Sequence, residues 1–309
     1  RIHVRLSQEI RTYTSVRVNW TKKKLIFVNE PLPVTPNKDR GQGSATGVDR
    51  GSVVLSADAQ GNIDKLPWDI INNLDNKVRR LQRSQERSAK DLGFESHHSA
   101  KKARKQSKAS IRRDREIADT KAKISRIVED TQHKVSCRLV EENDIIAIEK
   151  LNLAGMSRKA KTKEDTDNPG SFLPNGQSAK RTLNRKLRLS SLAQFGEFLK
   201  YKAKLSGCQI IEVDPRNTSR RCSSCGYIAQ ENRESQAVFV CKKCGFRDNA
   251  DHNAAVNILD RALCDHKEEI INFWGGEHPS VRAYESGSCG FTADQHSPMI
   301  HKPIYPSTC

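Results

Sequence analysis

The sequence predicts an α/β protein that carries a long helical hairpin and a small zinc ribbon beside one buried sheet. The runs 46–57, 144–151 and 209–213 are apolar and rich in β-branched residues, as buried strands are. A long segment after the first run keeps the apolar spacing of a helix. Two C-x2-C pairs, separated by fifteen residues, follow the third run and have the spacing of a zinc site.

The amino-terminal residues alternate between apolar and polar positions in short runs, which predicts strands of a small β module over 1–32. The pattern is already under way at Arg1, so we expect an amino-terminal part of the protein to precede it. A segment rich in proline, glycine and serine follows and predicts a linker over 33–45. The run 46–57 then predicts a strand that enters a hairpin, with its turn at 60–62.

The helical segment extends over about 68–140 and is predicted to bend near Gly93 and residues 96–99. Its apolar positions keep helical spacing on both sides of the bend, at Ile71, Leu74, Val78 and Leu81 and again at Ile117, Ile124, Val128 and Val135. Between Lys77 and Lys134 there are 18 lysines and arginines against 8 acidic residues. Too few acids are present to pair these cations along the helices, so this face is expected to bind phosphates.

Two further helices are predicted on either side of the cysteine pairs. The first places Leu189, Leu192, Phe195 and Leu199 on one face and ends at Gly207. The second begins at Asp251 and packs through Ala254, Ala255, Ile258, Leu259 and Ala262. Beyond residue 265 the periodicity is lost and four prolines occur, which predicts a weakly ordered tail over 265–309.

The overall charge indicates a polyanionic partner. The 309 residues include 54 lysines and arginines against 37 acidic residues, a formal charge of +17. Solvated surface charge is the simpler alternative, but the clustering of the cations favours nucleic acid. No apolar run approaches the ~20 residues that cross a membrane. A large chain without a secretory signal, with cysteines at metal spacing, is expected in a reducing cytoplasm.

The two cysteine pairs predict one structural zinc ion bound by four thiolates. Each C-x2-C knuckle turns two thiolates to one side, and two knuckles complete a tetrahedron with Zn–S distances of ~2.3 Å. Gly226 and Gly245 follow the second cysteine of each knuckle, where the backbone favours positive φ. Four thiolates leave no position for a reacting water, so the metal is structural. Two unrelated redox pairs are the alternative. The predicted ligands are Cys222, Cys225, Cys241 and Cys244.

The other cysteines show no ligand spacing, and Cys137 and Cys208 lie in apolar patterns that predict buried thiols. Six cations surround the knuckles and are either solvated or face a nucleic-acid backbone. They are Arg216, Arg220, Arg221, Lys242, Lys243 and Arg247.

Three acids occupy unusual positions. Asp49 lies within an apolar strand, Glu149 ends another, and Asp251 begins a helix. A buried acid is costly unless a cation pairs with it, so each one alone is explained by an ion pair or by a helix cap. Together they are able to converge on a pair of Mg²⁺ or Mn²⁺ ions. Such a pair activates a water and stabilises the leaving 3′ oxygen in an in-line displacement, without a histidine base.

These residues lie in motifs whose order resembles the TnpB family, insertion-sequence-encoded RuvC-like nucleases related to the type V CRISPR effectors. The motifs are GVDRG at 47–51, IAIEKLNLAGM at 146–156, DPRNTSRRCSSCG at 214–226, CKKCG at 241–245 and NADHNAAVNIL at 249–259. Arg50 differs from the apolar residue that many members have. The resemblance implies an RNase H-like (RuvC) nuclease domain over 46–217, split by the helical insertion, with a zinc ribbon at 218–248 and a last nuclease segment at 249–264. Residues 1–32 would then end a wedge β-barrel.

The resemblance further implies that Asp49, Glu149 and Asp251 are the metal-binding catalytic acids and that the partners are DNA and a guide RNA. We therefore expect a Mg²⁺-dependent DNA endonuclease, RNA-guided when complete and associated with transposition. The resemblance also implies association with the bacterial nucleoid. Two alternatives remain. One is a non-catalytic nucleic-acid-binding regulator that uses the ribbon and the helical hairpin alone. The other is a strand-transferring transposase, because the same fold and metals could use a 3′-OH as the nucleophile.

Overall fold

The computed structural model describes residues 12–20, 24–28, 44–166, 168 and 170–274. The predicted linker up to residue 43 and the tail after residue 274, with Cys289 and Cys309, lie outside the described residues. In the amino-terminal region, β1 (Ser15–Asn19) and β2 (Lys24–Val28) form an antiparallel hairpin. No helix among the described residues is long and apolar enough to span a membrane.

A five-stranded mixed sheet confirms the predicted α/β class. Its strands are β3 (Ala45–Asp49), β4 (Val54–Asp58), β5 (Ile63–Lys65), β6 (Ile145–Glu149) and β7 (Gln209–Val213), in the order β5-β4-β3-β6-β7. β3, β6 and β7 are parallel, while β4 and β5 pair antiparallel beside β3. The run 46–57 therefore forms two strands rather than one, because the chain turns between Asp49 and Val54. The predicted turn at 60–62 joins β4 to β5, with Gly61 at φ +93°.

Three helices fill the chain between β5 and β6. They are α1 (Trp68–Asp91), α2 (His97–Lys102) and α3 (Lys108–Glu142). The chain turns after α1 at Gly93, whose φ is +79°, and the Ser96 side chain caps α2. Near the turn Asp114 accepts hydrogen bonds from Gln85 and Gln106 and pairs with Lys101, so α1, α2 and α3 are joined. α1 and α3 thus form the predicted hairpin against the sheet.

The stretch after β6 contains α4 (Leu153–Met156), α5 (Gln177–Ser190) and α6 (Leu192–Ser206). The single predicted helical face is broken, because Ser191 adopts the left-handed conformation with φ +47°. Leu189 therefore lies on α5, while Phe195 and Leu199 are buried on α6. Gly207 ends α6 at φ +69°, as the sequence predicts.

The zinc ribbon follows β7 and contains the short hairpin of β8 (Val238–Val240) and β9 (Arg247–Asn249). It leads directly into α7 (Ala250–Asp265) and then α8 (Lys267–Phe273). The helix α8 corrects the prediction that order is lost after residue 265. Its Ile270 is 2% exposed and packs with Ile211 and Ile258, so burial of apolar surface fixes this segment.

The two faces of the sheet are covered by different helices. Val48, Ile146 and Ile148 pack against α1, α3 and α6, whereas Ile145, Ala147 and Ile211 pack against α7 and α8. Successive residues of a strand point to opposite faces. Alternate residues of β3 and β6 therefore contact different helices: one set faces α1, α3 and α6, and the other faces α7 and α8.

Helix α7 crosses β3 very closely at Gly47. A β-carbon at this glycine would lie 2.1 Å from the Ala255 carbonyl oxygen, so a larger residue would push the helix away. Because Gly47 and Asp49 share a face, this contact places the amino-terminal end of α7 beside the end of β3.

Candidate active site and zinc site

The four predicted zinc ligands form one cluster. Their four Sγ atoms all lie within 4.8 Å of one another, and no other group of three or more possible metal ligands in the described part of the chain meets this spacing. The Sγ atoms of Cys222 and Cys244 are 3.8 Å apart, and those of Cys225 and Cys241 are 3.5 Å apart. A zinc tetrahedron with ~2.3 Å bonds requires sulfur atoms about 3.8 Å apart. The cluster is therefore compatible with structural zinc.

The backbone of both knuckles agrees with this assignment. Gly226 and Gly245 adopt φ values of +74° and +75°, as predicted. Asn232 is fully buried between the knuckles, where its amide donates to the carbonyl oxygens of Arg220 and Tyr227 and accepts from the Lys242 amide. Nothing in the local sequence distinguishes this asparagine from an exposed one.

The ribbon is anchored to α7 by polar groups that are buried. Asn253 and Asn257 donate to the carbonyl oxygen of Arg221, and Asn253 also accepts from the Ser223 amide. The Arg221 side chain is itself buried and pairs with Asp260 at 3.0 Å. Arg221 is thus not solvated or available to nucleic acid. The other five cations near the knuckles are exposed, as expected.

Of the two thiols that were predicted to be buried, the structure confirms one and contradicts the other. Cys208 is buried, as predicted, but Cys137 is exposed on α3. Its position lies one step beyond the buried stripe of Val135, Ser136 and Leu139. Apolar neighbours in the sequence therefore did not place this thiol in the core.

The three predicted acids lie at the carboxyl ends of the inner strands β3 and β6 and in the adjoining first turn of α7. Asp49 and Glu149 end the neighbouring parallel strands β3 and β6, in a register that pairs Val48 with Ile148. Neighbouring strands lie ~4.8 Å apart, so the two acids stand side by side. Both share the face that α7 covers. Asp251 lies in the first turn of α7, close enough for its charge to act on Asp49.

Asp49, Glu149 and Asp251 all have raised pKa values, and burial is the main cause for each of them. Burial raises the pKa of Asp49 to about 7, and the charges of Glu149 and Asp251 add to the rise. Burial also raises the pKa of Glu149 and of Asp251. The excess of negative charge here is therefore only partly compensated by the chain's own cations.

Arg233 of the zinc ribbon reaches into this cluster. Its Nη2 donates to Asp251 Oδ1 at 3.0 Å. Its positive charge opposes the rise in the pKa of Asp49 and Glu149, although both pKa values remain raised. This role could not be predicted, because Arg233 lies in a polar stretch that contains other charged residues. The contact ties the ribbon to the third acid.

Other polar groups fix the orientation of the acids. Thr218 is buried, and its hydroxyl donates to Glu149 Oε1 at 2.5 Å. The Asn249 side chain caps α7 by accepting from the amides of Asp251 and His252. The alternative in which Asp251 itself caps the helix is therefore wrong, and its carboxylate is directed to Arg233 instead.

The donor set suits a hard divalent cation. Three carboxylates supply only oxygen ligands, and their raised pKa values show that an additional positive charge would be stabilised among them. Their oxygens lie outside the 4.8 Å mutual spacing that the four cysteines meet. Asp49, Glu149 and Asp251 thus supply the type of donor atom that Mg²⁺ or Mn²⁺ would require.

The raised pKa of Asp49 predicts how stability depends on pH. The folded protein keeps a proton on Asp49 up to about pH 7, because its pKa is raised to about 7, whereas in the unfolded chain the pKa of this carboxyl has its ordinary value of 3.8. Between these values the folded state binds more protons, so its free energy of unfolding falls as pH rises. In buffer without Mg²⁺ the melting temperature should fall by about 3–6 °C more for the wild type than for Asp49→Asn between pH 5 and 8. If the melting temperatures of the two proteins, measured by thermal unfolding, fell equally between pH 5 and 8, the raised pKa of Asp49 would be contradicted.

Comparison with known proteins identifies relatives of part of the chain. The profile of a family described as the Cas12f1-like TNB domain matches residues 193–258. The CRISPR-associated endodeoxyribonuclease Cas12f1 of Sulfoacidibacillus thermotolerans is 53% identical over 58 residues, which cover 19% of this chain and 14% of that protein. InsQ of Escherichia coli K12, named as an RNA-guided DNA endonuclease, is 35% identical over 127 residues, 40% of this chain and 30% of InsQ.

A third relative carries the family name itself. The TnpB-like protein L79 of Acanthamoeba polyphaga mimivirus is 31% identical over 129 residues, which cover 42% of this chain and 22% of L79. The matches thus span between 14% and 30% of the relatives' lengths. The family profile covers most of α6, β7, the zinc ribbon and the first half of α7, so it includes the four cysteines and Asp251 but neither Asp49 nor Glu149. Over these segments the chain is similar to TnpB-like proteins, to InsQ and to the CRISPR-associated endonuclease Cas12f1.

Proposed function

We propose that this chain forms the nuclease part of a metal-dependent DNA endonuclease of the TnpB type. The observation that carries the proposal is the meeting of Asp49, Glu149 and Asp251, from three distant segments, at one edge of the sheet. In this proposal the sheet and α7 are an RNase H-like core of the RuvC kind. The helices α1 to α3 are its helical insertion, residues 218–248 are its ribbon insertion, and the hairpin of β1 and β2 ends a wedge domain.

Each side chain of the site has a defined role in the proposal. The three carboxylates would hold two Mg²⁺ or Mn²⁺ ions. When bound, such ions activate a water and stabilise the leaving 3′ oxygen of a phosphodiester. Thr218 orients Glu149 through its hydrogen bond to Oε1, and Arg233 holds Asp251. The planar guanidinium of Arg233 is also suited to a phosphate oxygen.

Nucleic-acid partners follow from charge and from the relatives. The segment of α1 to α3 carries an excess of cations, which matches a polyanionic backbone. InsQ is named as RNA-guided, and by this likeness we infer a guide RNA and a DNA target for the complete protein. Base pairing would then read the target sequence while the basic surface binds the backbone.

The test is the chemical form of the DNA ends. The chain is incubated with Mg²⁺, single-stranded DNA and a labelled donor that carries a free 3′-OH, with and without the RNA that copurifies with it. We expect metal-dependent cleavage that leaves 3′-OH and 5′-phosphate ends, with the donor unchanged. Joined donor would indicate a strand-transferring transposase. Binding without cleavage under both conditions would indicate a non-catalytic regulator and would overturn the proposal.

A further inference from the structure

Arg50 occupies the face of the sheet opposite to the three acids. It directly follows β3, where Gly47 and Asp49 point toward α7 and Val48 points toward α6. Because alternate residues of a strand share a face, Arg50 points to the same side as Val48. Its guanidinium lies next to Gly196 on α6. It therefore lies beneath the strand ends that carry Asp49 and Glu149.

The main contact of Arg50 is with the backbone of the second acid. Its Nη2 donates to the carbonyl oxygen of Glu149 at 2.6 Å. The two residues are separated by 99 positions in the chain, so the bond ties the end of β3 to the end of β6. Burial lowers the pKa of Arg50, while the charges of Glu212, Glu149 and Asp49 act in the opposite direction. An arginine in this setting stays charged.

The fold has a recess that fits this guanidinium. A β-carbon at Gly196 would lie 2.5 Å from Nη1 of Arg50. Among the described residues, and apart from the chain neighbours of Gly196 and the backbone of α6 itself, only Arg50 has atoms within 4 Å of that position. Gly196 is buried within α6, where glycine weakens a helix relative to alanine. A glycine at position 196 is therefore explained by the space that the Arg50 side chain occupies there.

We propose that Arg50 is a positioning residue for the metal-binding acids: from the rear of the sheet it fixes the main chain at Glu149, and Gly196 provides the space that admits it. The inference rests on the proposed metal site and adds a residue that touches neither metal nor substrate. A simple counter-charge would act differently. Removing a mere counter-charge would leave Glu149 in place and lessen the repulsion of an incoming cation, so metal would bind more tightly.

The experiment measures Mn²⁺ binding to the full chain by electron paramagnetic resonance, in which the signal of free Mn²⁺ falls as the ion binds. Arg50→Met should weaken binding about tenfold, as loss of residues that orient metal ligands does. Arg50→Lys keeps the charge and one donor on a flexible stem, and should recover most of the loss.

Gly196→Ala is the sharper variant because Arg50 is retained. The added methyl group meets only the end of a flexible side chain, and alanine favours the helix, so the melting temperature should equal or exceed that of the wild type. Mn²⁺ binding should nevertheless weaken about tenfold, because the guanidinium is displaced from Glu149. In the Arg50→Met background Gly196→Ala should have no further effect on binding.

Three outcomes would decide the matter. Unchanged or tighter Mn²⁺ binding in Gly196→Ala would overturn the positioning role, and so would tighter binding in a folded Arg50→Met. If Arg50→Met does not fold, the Gly196→Ala result stands alone. Asp49→Asn serves as the reference: if it binds Mn²⁺ as the wild type does, the proposed metal site fails, which is distinguishable from failure of the Arg50 inference.

Discussion

Asp49→Asn should reduce metal-dependent DNA cleavage by at least about 10³-fold, which corresponds to roughly 4 kcal/mol in the activation free energy. Asparagine has nearly the same shape as aspartate but lacks the charge that a divalent cation needs. The charges of both Glu149 and Asp251 act on Asp49, so in the proposed site Asp49 is the acid that would share a metal ion with either of them. Its loss therefore removes a shared ligand while the surrounding packing remains.

The same variant should keep its zinc and bind nucleic acid normally, since neither property depends on this carboxylate. Removing a buried charge should also raise the stability of the metal-free protein at neutral pH. Asp214→Asn is a suitable control, because Asp214 follows β7 at the same edge of the sheet but its side chain is 58% exposed. Cleavage by the control should stay near that of the wild type. Undiminished cleavage by Asp49→Asn would exclude Asp49 as a catalytic acid.

Cys241→Ser should release the zinc and lower cleavage by about 10²-fold or more. Cys241 is 2% exposed and its Sγ lies 3.5 Å from that of Cys225, so a hydroxyl cannot replace its thiolate in the cluster. A structural zinc ion contributes directly to the folding free energy of a small domain. We therefore expect the ribbon to lose its order while the sheet and the helical hairpin stay folded.

The loss of cleavage follows from the contacts between the ribbon and α7. Arg233 of the ribbon binds Asp251, and the first knuckle is held by Asn253 and Asn257 of the same helix. Disorder of the ribbon removes these contacts and leaves Asp251 without its nearest cation. The third acid then loses its position even though its own helix remains.

Zinc content from elemental analysis and cleavage measured on the same sample check this prediction. Cys137→Ser is the matched control, because Cys137 is exposed on α3 and lies outside the cluster. It should keep one zinc ion and normal cleavage. If Cys241→Ser kept both the metal and full activity, the ribbon would have no part in placing the third acid.

Much of the fold could be predicted because its signals are local. The strands β6 and β7 are short apolar runs, and the helical spacing on both sides of Gly93 marks α1 and α3. The break at Ser191 and the helix α8 escaped prediction. Each depends on contacts made elsewhere in the chain: α8 forms where Ile270 finds an apolar surface on β7 and α7.

The residues of the site divide in the same way. The zinc ligands and the three acids stand in short motifs, and their spacing or their position at a strand end suffices to single them out. Arg50, Thr218 and Arg233 could not be recognised, because their partners are distant in sequence. The periodicity around Cys137 likewise predicted burial for a thiol that is exposed.

The sequence by itself determined the α/β class, the four-cysteine cluster and the three candidate acids. A metal knuckle is a tight turn and a strand is a short apolar run, so a few neighbouring residues specify each. The tertiary structure decided which arginines are withdrawn from the exposed surface and what they contact: the buried Arg221 anchors the ribbon, the half-buried Arg233 binds Asp251, and the half-buried Arg50 lies behind Glu149. An arginine is exposed by default, and only the packing of distant segments gives it a buried partner.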